Sequence, residues 1–167
     1  MAGTPTPSPD AEYVEFVRAA SGTLTRTAYL LTGDRELASD LVQEALVRTY
    51  LAWRRVRHGE ATAYARRVLV NLNIDRWRRR QAVPGELDER PDLTDGHGRV
   101  DDRDEVVRLL ATLPDQQRRV IVLRYFDDLT EADTAHQLGI SVGAVKSAAS
   151  RGLATLRSRY TTVGGER

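Results

Sequence analysis

Cysteine is absent from this 167-residue chain. That removes disulfide frameworks, thiolate zinc sites and thiol-based redox sensing by the chain itself. Long apolar runs are missing too: no stretch of about 18 uncharged apolar residues occurs, so nothing in the sequence is expected to insert in a membrane. The opening Met1-Ala2-Gly3-Thr4-Pro5-Thr6-Pro7-Ser8-Pro9 has neither a basic start nor an apolar core. It does not read as a signal peptide, and its proline and threonine density reads as a disordered tail over residues 1–10. A cytoplasmic location is the expectation. The three histidines, His58, His97 and His136, lack metal-ligand spacing, so no metal and no cofactor is expected. Alternating strand patterns are also missing. Lysine is nearly so: of the 25 basic residues only Lys146 is not arginine. Arginine suits phosphate recognition, although a G+C-rich genome gives the same bias and is the plainer cause.

What is present is helical periodicity and an uneven spread of charge. Residues 1–80 carry 13 basic and 9 acidic side chains, residues 81–105 carry 3 and 9, and residues 106–167 carry 9 and 6. Two mildly basic units flank an acidic joint, a layout suited to polyanion binding at both ends. It also leaves the joint able to shield the basic faces by self-contact. The expected architecture is all-α: two small helical domains joined by an acidic flexible linker, the C-terminal one containing a helix-turn-helix. The first domain spans 11–80, the linker 81–103, the second domain 104–160, and 161–167 form a tail.

In the first domain a helix is expected from about Ala11 to Leu31, with a possible break near Ser21-Gly22 and a glycine stop at Gly33. A second opens at the N-cap Asp34 and runs to about Val56. A third runs from about Ala61 to Arg80. Residues 81–103, with Pro84, Gly85, Pro91, Gly96 and Gly98, lose all periodicity and read as linker. Helix returns at 103–112, and Pro114 begins the next one. Thr130-Glu131-Ala132-Asp133 opens a short helix in capping-box style. Leu138-Gly139-Ile140 turns the chain, and Ser141 caps a last helix to about Arg159. Short helix, glycine turn and capped helix make the helix-turn-helix pattern.

Three helix faces stand out. On the last helix Val145, Ala149, Gly152, Leu153 and Leu156 form the core stripe. The opposite side gathers Gly143, Lys146, Ser147, Ser150, Ala154 and Arg157, with Arg151 at its edge. Short side chains let a helix approach a groove while cations meet phosphates and base edges. A solvated face of an ordinary helical hairpin would look similar, and the helix-turn-helix spacing is what favours DNA. On the helix at 61–80, Tyr64, Ala65, Val68, Leu69 and Leu72 form the core stripe. The far side holds Arg66, Arg67, Val70, Asn73, Ile74 and Trp77, bordered by Asn71 and Arg78. The segment carries six arginines against the single acid Asp75. Arginines interleaved with an indole and amides suit single-stranded or melting DNA; Trp77 alone would read as a packing residue. On the helix from Asp34, the stripe Leu37, Ala38, Leu41, Val42 and Ala45 leaves Glu36, Asp40, Gln43, Glu44 and Val47 on another side. Such a strip repels DNA and suits a basic protein partner, though a solvated acidic face is common.

In their order and spacing these faces resemble the extracytoplasmic-function group of sigma-70 RNA polymerase sigma factors, with wording nearest the actinobacterial SigE-like members. Arg26-Thr27-Ala28-Tyr29-Leu30-Leu31-Thr32-Gly33-Asp34, followed by Ala38-Ser39-Asp40-Leu41-Val42-Gln43-Glu44-Ala45, looks like the family's core-binding segment. Tyr64 to Arg80 is similar to its helix that opens and reads the minus-10 element. Leu113-Pro114-Asp115-Gln116-Gln117-Arg118, Leu129-Thr130-Glu131-Ala132 and Gly139-Ile140-Ser141-Val142-Gly143-Ala144-Val145-Lys146-Ser147 match its minus-35 domain. The likeness covers about residues 11–160.

The resemblance implies partners: core polymerase through its β′ clamp helices and β flap, promoter DNA, and an anti-sigma factor as a candidate regulator. Glu36, Asp40, Gln43, Glu44 and Val47 would meet the clamp helices. Arg66, Arg67, Asn71, Asn73, Arg76, Trp77, Arg78 and Arg79 would serve the minus-10 strand, with Asn71 and the loop 56–60 near a flipped base. Ser141, Lys146, Ser147, Ser150, Arg151 and Arg157 would meet the minus-35 duplex. A sigma subunit makes and breaks no bond, so no enzyme activity is implied; base flipping costs a few kcal/mol that pocket contacts offset. Ala148, Ala149 and Gly152 stand where the family often has larger or more helix-favouring residues, which suggests minus-35 readout partly by shape. Thr134 stands where isoleucine is frequent, so the short helix is expected to pack less firmly.

Other readings explain less. A helix-turn-helix regulator acting without polymerase accounts for 103–160 and leaves the first 80 residues idle. A carboxylate-metal nuclease built on Asp127-Asp128 or Asp101-Asp102 lacks a third ligand. An adaptor protein accounts for the acidic helix but not for six arginines beside Trp77.

Overall fold

The computed structural model describes residues 7–82 and 102–164. The expected linker therefore lies almost wholly outside the described residues, as does the shielding role considered for it. Every regular element among the described residues is helical.

Helix α1 runs Pro9–Thr32 without a break at Ser21-Gly22. It begins two residues earlier than the periodicity suggested, because the Ser8 hydroxyl accepts from the Ala11 N–H at 3.2 Å and Pro9 occupies the first turn, where its missing N–H costs nothing. Gly33 ends it at φ 70°, its N–H donating to the Tyr29 carbonyl. Asp34 then caps α2, Arg35–Leu51, by accepting from the Leu37 N–H at 3.0 Å.

The single helix expected to Val56 is divided. Ala52 adopts φ −95° and ψ 3° and shares its N–H among carbonyls of the last turn, so a short α3, Trp53–Val56, changes direction. The turn brings Trp53 inward against Tyr13 and Phe16, with the Tyr13 and Trp53 rings 5.1 Å apart and nearly perpendicular. Gly59 at φ 91° separates α3 from α4, Ala61–Ala82.

Helices α1, α2 and α4 enclose a core of Leu24, Ala28, Ala38, Leu41, Ala45, Ala65 and Leu69. Its fully buried alanines let the helix axes approach closely, and its leucines supply the apolar area that drives packing, roughly 2 kcal/mol for each one fully buried.

The second domain contains α5, Asp102–Ala111, and α6, Asp115–Ile121, with Pro114 at the cap one position before the helix rather than inside it. A π-helical turn, Val122–Phe126, follows directly. Then come α7, Glu131–Leu138, and α8, Val142–Gly164, separated by Gly139 at φ 64°. Thr130 caps α7 by accepting from the Asp133 N–H at 3.0 Å, and its hydroxyl donates to the Asp133 carboxylate at 2.6 Å. Ser141 caps α8 through the Ala144 N–H. Val120, Ala135, Val145 and Ala148 are the centre of this helix-turn-helix.

A further cluster belongs to neither domain alone. Leu30 and Leu31 of α1 and Val70 of α4 pack with Val107, Leu110, Leu113, Ile121, Val122 and Leu123 of the second domain. Around it, Arg118 donates to the Leu31 carbonyl at 3.1 Å, Tyr29 donates to Asp104 at 2.9 Å, and Gln137 donates to the Ala63 carbonyl at 3.2 Å. The two domains thus close on each other along a seam that is apolar inside and hydrogen-bonded at its edges.

Candidate nucleic-acid interface

The outer face of α8 is as open as its pattern implied. Gly143, Lys146, Ser147, Ser150, Arg151, Ala154 and Arg157 are all exposed. Lys146 Nζ lies 3.7 Å from Glu131 of α7, a contact weak enough at the surface to be exchanged for a phosphate. Ser141 is exposed too, but its hydroxyl accepts from the Ala144 N–H and so serves the helix first.

Three details bear on the sequence reading, and Ala149 and Gly152 keep the core-stripe places it gave them. Ala148 is buried between α7 and α8 and Ala149 is half-buried, so neither alanine marks a missing base-edge donor on the groove face. Gly152 is also turned inward: a Cβ there would sit 3.0 Å from Ile121 Cγ1, so the residue is small because α6 and α8 touch. Thr134 is fully buried rather than loosely packed, but its hydroxyl has no hydrogen-bond partner.

Helix α4 splits into two faces. Arg67, Asn71, Arg76, Arg78 and Arg79 are exposed, as is the acid Asp75 among them. The others turn toward the second domain. Arg66, with only 12% of its side chain exposed, lies 3.4 Å from Asp127. Asn73 accepts from Arg119 Nε at 3.3 Å. Trp77, 38% exposed, carries the Arg119 guanidinium over its ring at 5.8 Å. Burial pulls the Arg119 pKa below its usual value, Asp115 opposing that shift and the cations Arg118 and Arg78 adding to it. Val70 and Ile74, counted by the sequence among a mixed DNA-facing side, pack into the seam instead. Their apolar character is explained by the second domain.

On α2 the strip Glu36, Asp40, Gln43, Glu44 and Val47 is exposed throughout, with Glu44 paired to Arg48. It extends further than the sequence indicated. Val47 is 58% exposed, and Tyr50 and Leu51 beside it are also exposed, giving an acidic surface with an apolar end. Hydrophobic periodicity could not show this, because Leu51 falls at the point where the helix breaks.

Two concave features were not visible in the pattern. A cleft of about 370 Å³ is bordered by Phe16, Trp53, Arg57, His58 and Thr62. Trp53 lines it, with its indole N–H buried and without a partner, while Arg57 is paired with Glu12 at 2.8 Å. On the second domain, Val106, Leu109, Phe126, Leu156 and Tyr160 line an apolar groove with Arg157 at its edge. Among the described residues, no helix is long and apolar enough to cross a membrane.

Comparison with known proteins follows the same division. Residues 16–83 match the family model described as Sigma-70 region 2, and residues 103–156 match Sigma-70, region 4. The RNA polymerase sigma-E factor of Streptomyces coelicolor is 41% identical over 152 residues, covering 87% of this chain and 84% of that protein. The ECF RNA polymerase sigma factor SigM of Mycobacterium tuberculosis is 33% identical, covering 80% of this chain and 69% of its own length. Among solved structures, the sigma factor RpoE of Bartonella quintana, in complex with the anti-sigma factor NepR, shares the fold. Its TM-score is 0.67 at 21% identity, over 87% of this chain and 94% of that one.

Proposed function

Because the chain belongs to the sigma-70 family of RNA polymerase sigma factors, in its extracytoplasmic-function group, we propose a division of that work between residues 11–80 and 104–160. The first domain meets the β′ clamp helices of core polymerase with Glu36, Asp40, Gln43, Glu44 and Val47, and the exposed Tyr50 and Leu51 extend the contact. An acidic strip with an apolar end suits a basic helical partner, charge steering the approach and apolar burial holding it.

On α4, Arg67, Asn71, Arg76, Arg78 and Arg79 track the minus-10 strand, joined by Arg66, Asn73 and Trp77 when these are free of the second domain. The cleft beside the 56–60 loop is large enough for one unstacked base. In the second domain Ser141, Lys146, Ser147, Ser150, Arg151 and Arg157 meet the minus-35 duplex. Buried Ala148 and the Gly152 contact leave the groove to short serines and three cations, so much of that affinity is phosphate contact and groove shape.

The apolar groove closed by Leu156 and Tyr160 suits the β flap. An anti-sigma factor is a further proposed partner, and the location is cytoplasmic. Melting then draws on binding energy alone, with no enzymatic step and no cofactor.

The observation that carries this reading is the pairing of an exposed acidic strip on α2 with an exposed cationic face on α4 of the same domain. A free helix-turn-helix regulator, working through residues 103–160, needs neither of these. Charge reversal at Asp40 and Glu44 tests it: the double variant is expected to lose core-polymerase binding while keeping its helix content and its affinity for DNA. Unchanged binding to core would contradict the proposal.

A further inference from the structure

The open face of α8 carries three cations, and they are not in the same state. Among the described residues, neither Arg151 nor Arg157 forms an ion pair, and both are exposed. Lys146, the one lysine of the chain, differs: its Nζ lies 3.7 Å from Glu131 Oε2 of α7, and both side chains stay partly exposed.

Glu131 opens α7 directly after the cap residue Thr130. The two acids of that first turn are used differently. Asp133 is bound into the cap, its carboxylate accepting from the Thr130 hydroxyl at 2.6 Å and its N–H donating to the same oxygen at 3.0 Å. The Glu131 side chain takes no part in the cap, and Lys146 is its one polar side-chain partner among the described residues. The helix dipole favours an acid in the first turn, but it does not call for one that reaches across to α8.

This acid works against the binding of DNA in general. It offsets the charge of Lys146 and leaves Arg151 and Arg157 to attract the duplex. Against random sequence, where affinity follows the number of phosphates neutralised, Lys146 then adds little. A base edge changes the balance. The ammonium has three donors: one can stay on Glu131 while two reach a pair of acceptors in the major groove. Guanine O6 and N7 are such a pair, and no other base shows two acceptors on that edge.

Resting on the minus-35 role given to this face, we propose that Glu131 is a positioning residue that restricts Lys146 to guanine. It keeps the lysine from the phosphates of random DNA and holds the ammonium over the groove, so that Lys146 reads one guanine of the upstream element.

Glu131→Gln in the full chain tests this with two readouts, since glutamine keeps the side-chain length and helix preference and removes the charge. The first is fluorescence anisotropy on a random-sequence duplex from about 50 to 200 mM salt. The variant should bind about threefold more tightly, the scale of a surface ion pair. Its slope of log affinity against log salt should steepen by about 0.9, one added phosphate contact. With Lys146→Gln in addition, the slope should return to that of the wild type. The second readout uses the same proteins assembled with core polymerase, on a run-off promoter whose upstream element is randomised, with the productive templates sequenced. The wild type should prefer guanine at one position by about tenfold. Lys146→Gln should abolish that preference, Glu131→Gln should weaken it at the same position, and preferences elsewhere should stand.

A salt slope that Glu131→Gln leaves unchanged, or steepens equally with Lys146 replaced, would overturn the proposal. So would a guanine preference that neither variant alters, or effects of the two variants at different positions. If no protein-dependent transcript appears, the sigma reading fails, and the salt slopes alone decide whether Glu131 governs Lys146.

Discussion

Two glycines inside helices should respond to alanine with opposite signs. Gly22 lies mid-way along α1, exposed, and a Cβ there would meet nothing within 4 Å. Replacing it removes backbone entropy from the unfolded chain and improves helix propensity, a gain of about 1 kcal/mol. Gly152 in α8 offers the same intrinsic gain, but its Cβ would come within 3.0 Å of Ile121 Cγ1 and 3.3 Å of Cδ1. Ile121 is buried and belongs to the seam cluster, and β-branching stiffens its χ1, so it cannot move aside without disturbing Val122 and Leu123. Overpacking of this kind costs about 1–3 kcal/mol. The net expectation for Gly152→Ala is a loss of about 1 kcal/mol. In thermal unfolding, Gly22→Ala should raise Tm by roughly 2–4 °C and Gly152→Ala should lower it by a similar amount, the scaling for a chain of this size. If both raise Tm, the α6–α8 contact is not tight, and the account of why glycine stands at 152 is wrong.

The remaining expectations concern buried polar groups. Thr134→Val should stabilise the protein by about 1 kcal/mol in urea unfolding, because the buried hydroxyl has no partner and a methyl of similar size desolvates without loss; destabilisation would mean that the hydroxyl is satisfied. The Asp127 pKa is raised, chiefly by burial, against the opposing pulls of the Thr27 hydroxyl and of Arg66 and Arg26. A carboxyl whose folded pKa exceeds its unfolded value contributes stability that is complete below the unfolded value of about 3.9 and is lost as pH rises through the folded one. Relative to Asp127→Asn, the wild type should therefore gain urea stability as pH falls from neutral toward that value, and an opposite slope would refute the direction of the shift.

Much of the helical frame was legible because it rests on local chemistry. Asp34, Thr130 and Ser141 each cap the helix their position announced, and Gly33 and Gly139 take the left-handed conformations expected at their stops. Periodicity likewise identified Leu41, Ala45, Ala65, Leu69 and Val145 as core. What it could not supply was the partner of an apolar residue. Val70 and Ile74 sit opposite the core stripe of α4, and without the second domain in view they read as part of a nucleic-acid surface. Ala148 was misplaced for the same reason, since a small residue on an amphipathic helix suits a groove face and a helix contact equally well. The break at Ala52 accompanies the packing of Trp53 on Tyr13 and Phe16, and the π-helical turn leads into the contacts that α1 and α4 make with Asp127. Neither contact can be read from local sequence. On the exposed faces, the acidic strip of α2 and the outer arginines of α4 were legible as surfaces because charge alone places them in water.

The most direct test of the central claim is transcription itself. Purified protein is combined with core polymerase from a related bacterium and fragmented genomic DNA, and transcript 5′ ends are sequenced. The account predicts starts at a fixed distance below shared two-part elements, dependent on this protein and abolished by charge reversal at Asp40 and Glu44. No protein-dependent transcripts together with no binding to core would contradict it and leave a DNA-binding protein that works without polymerase.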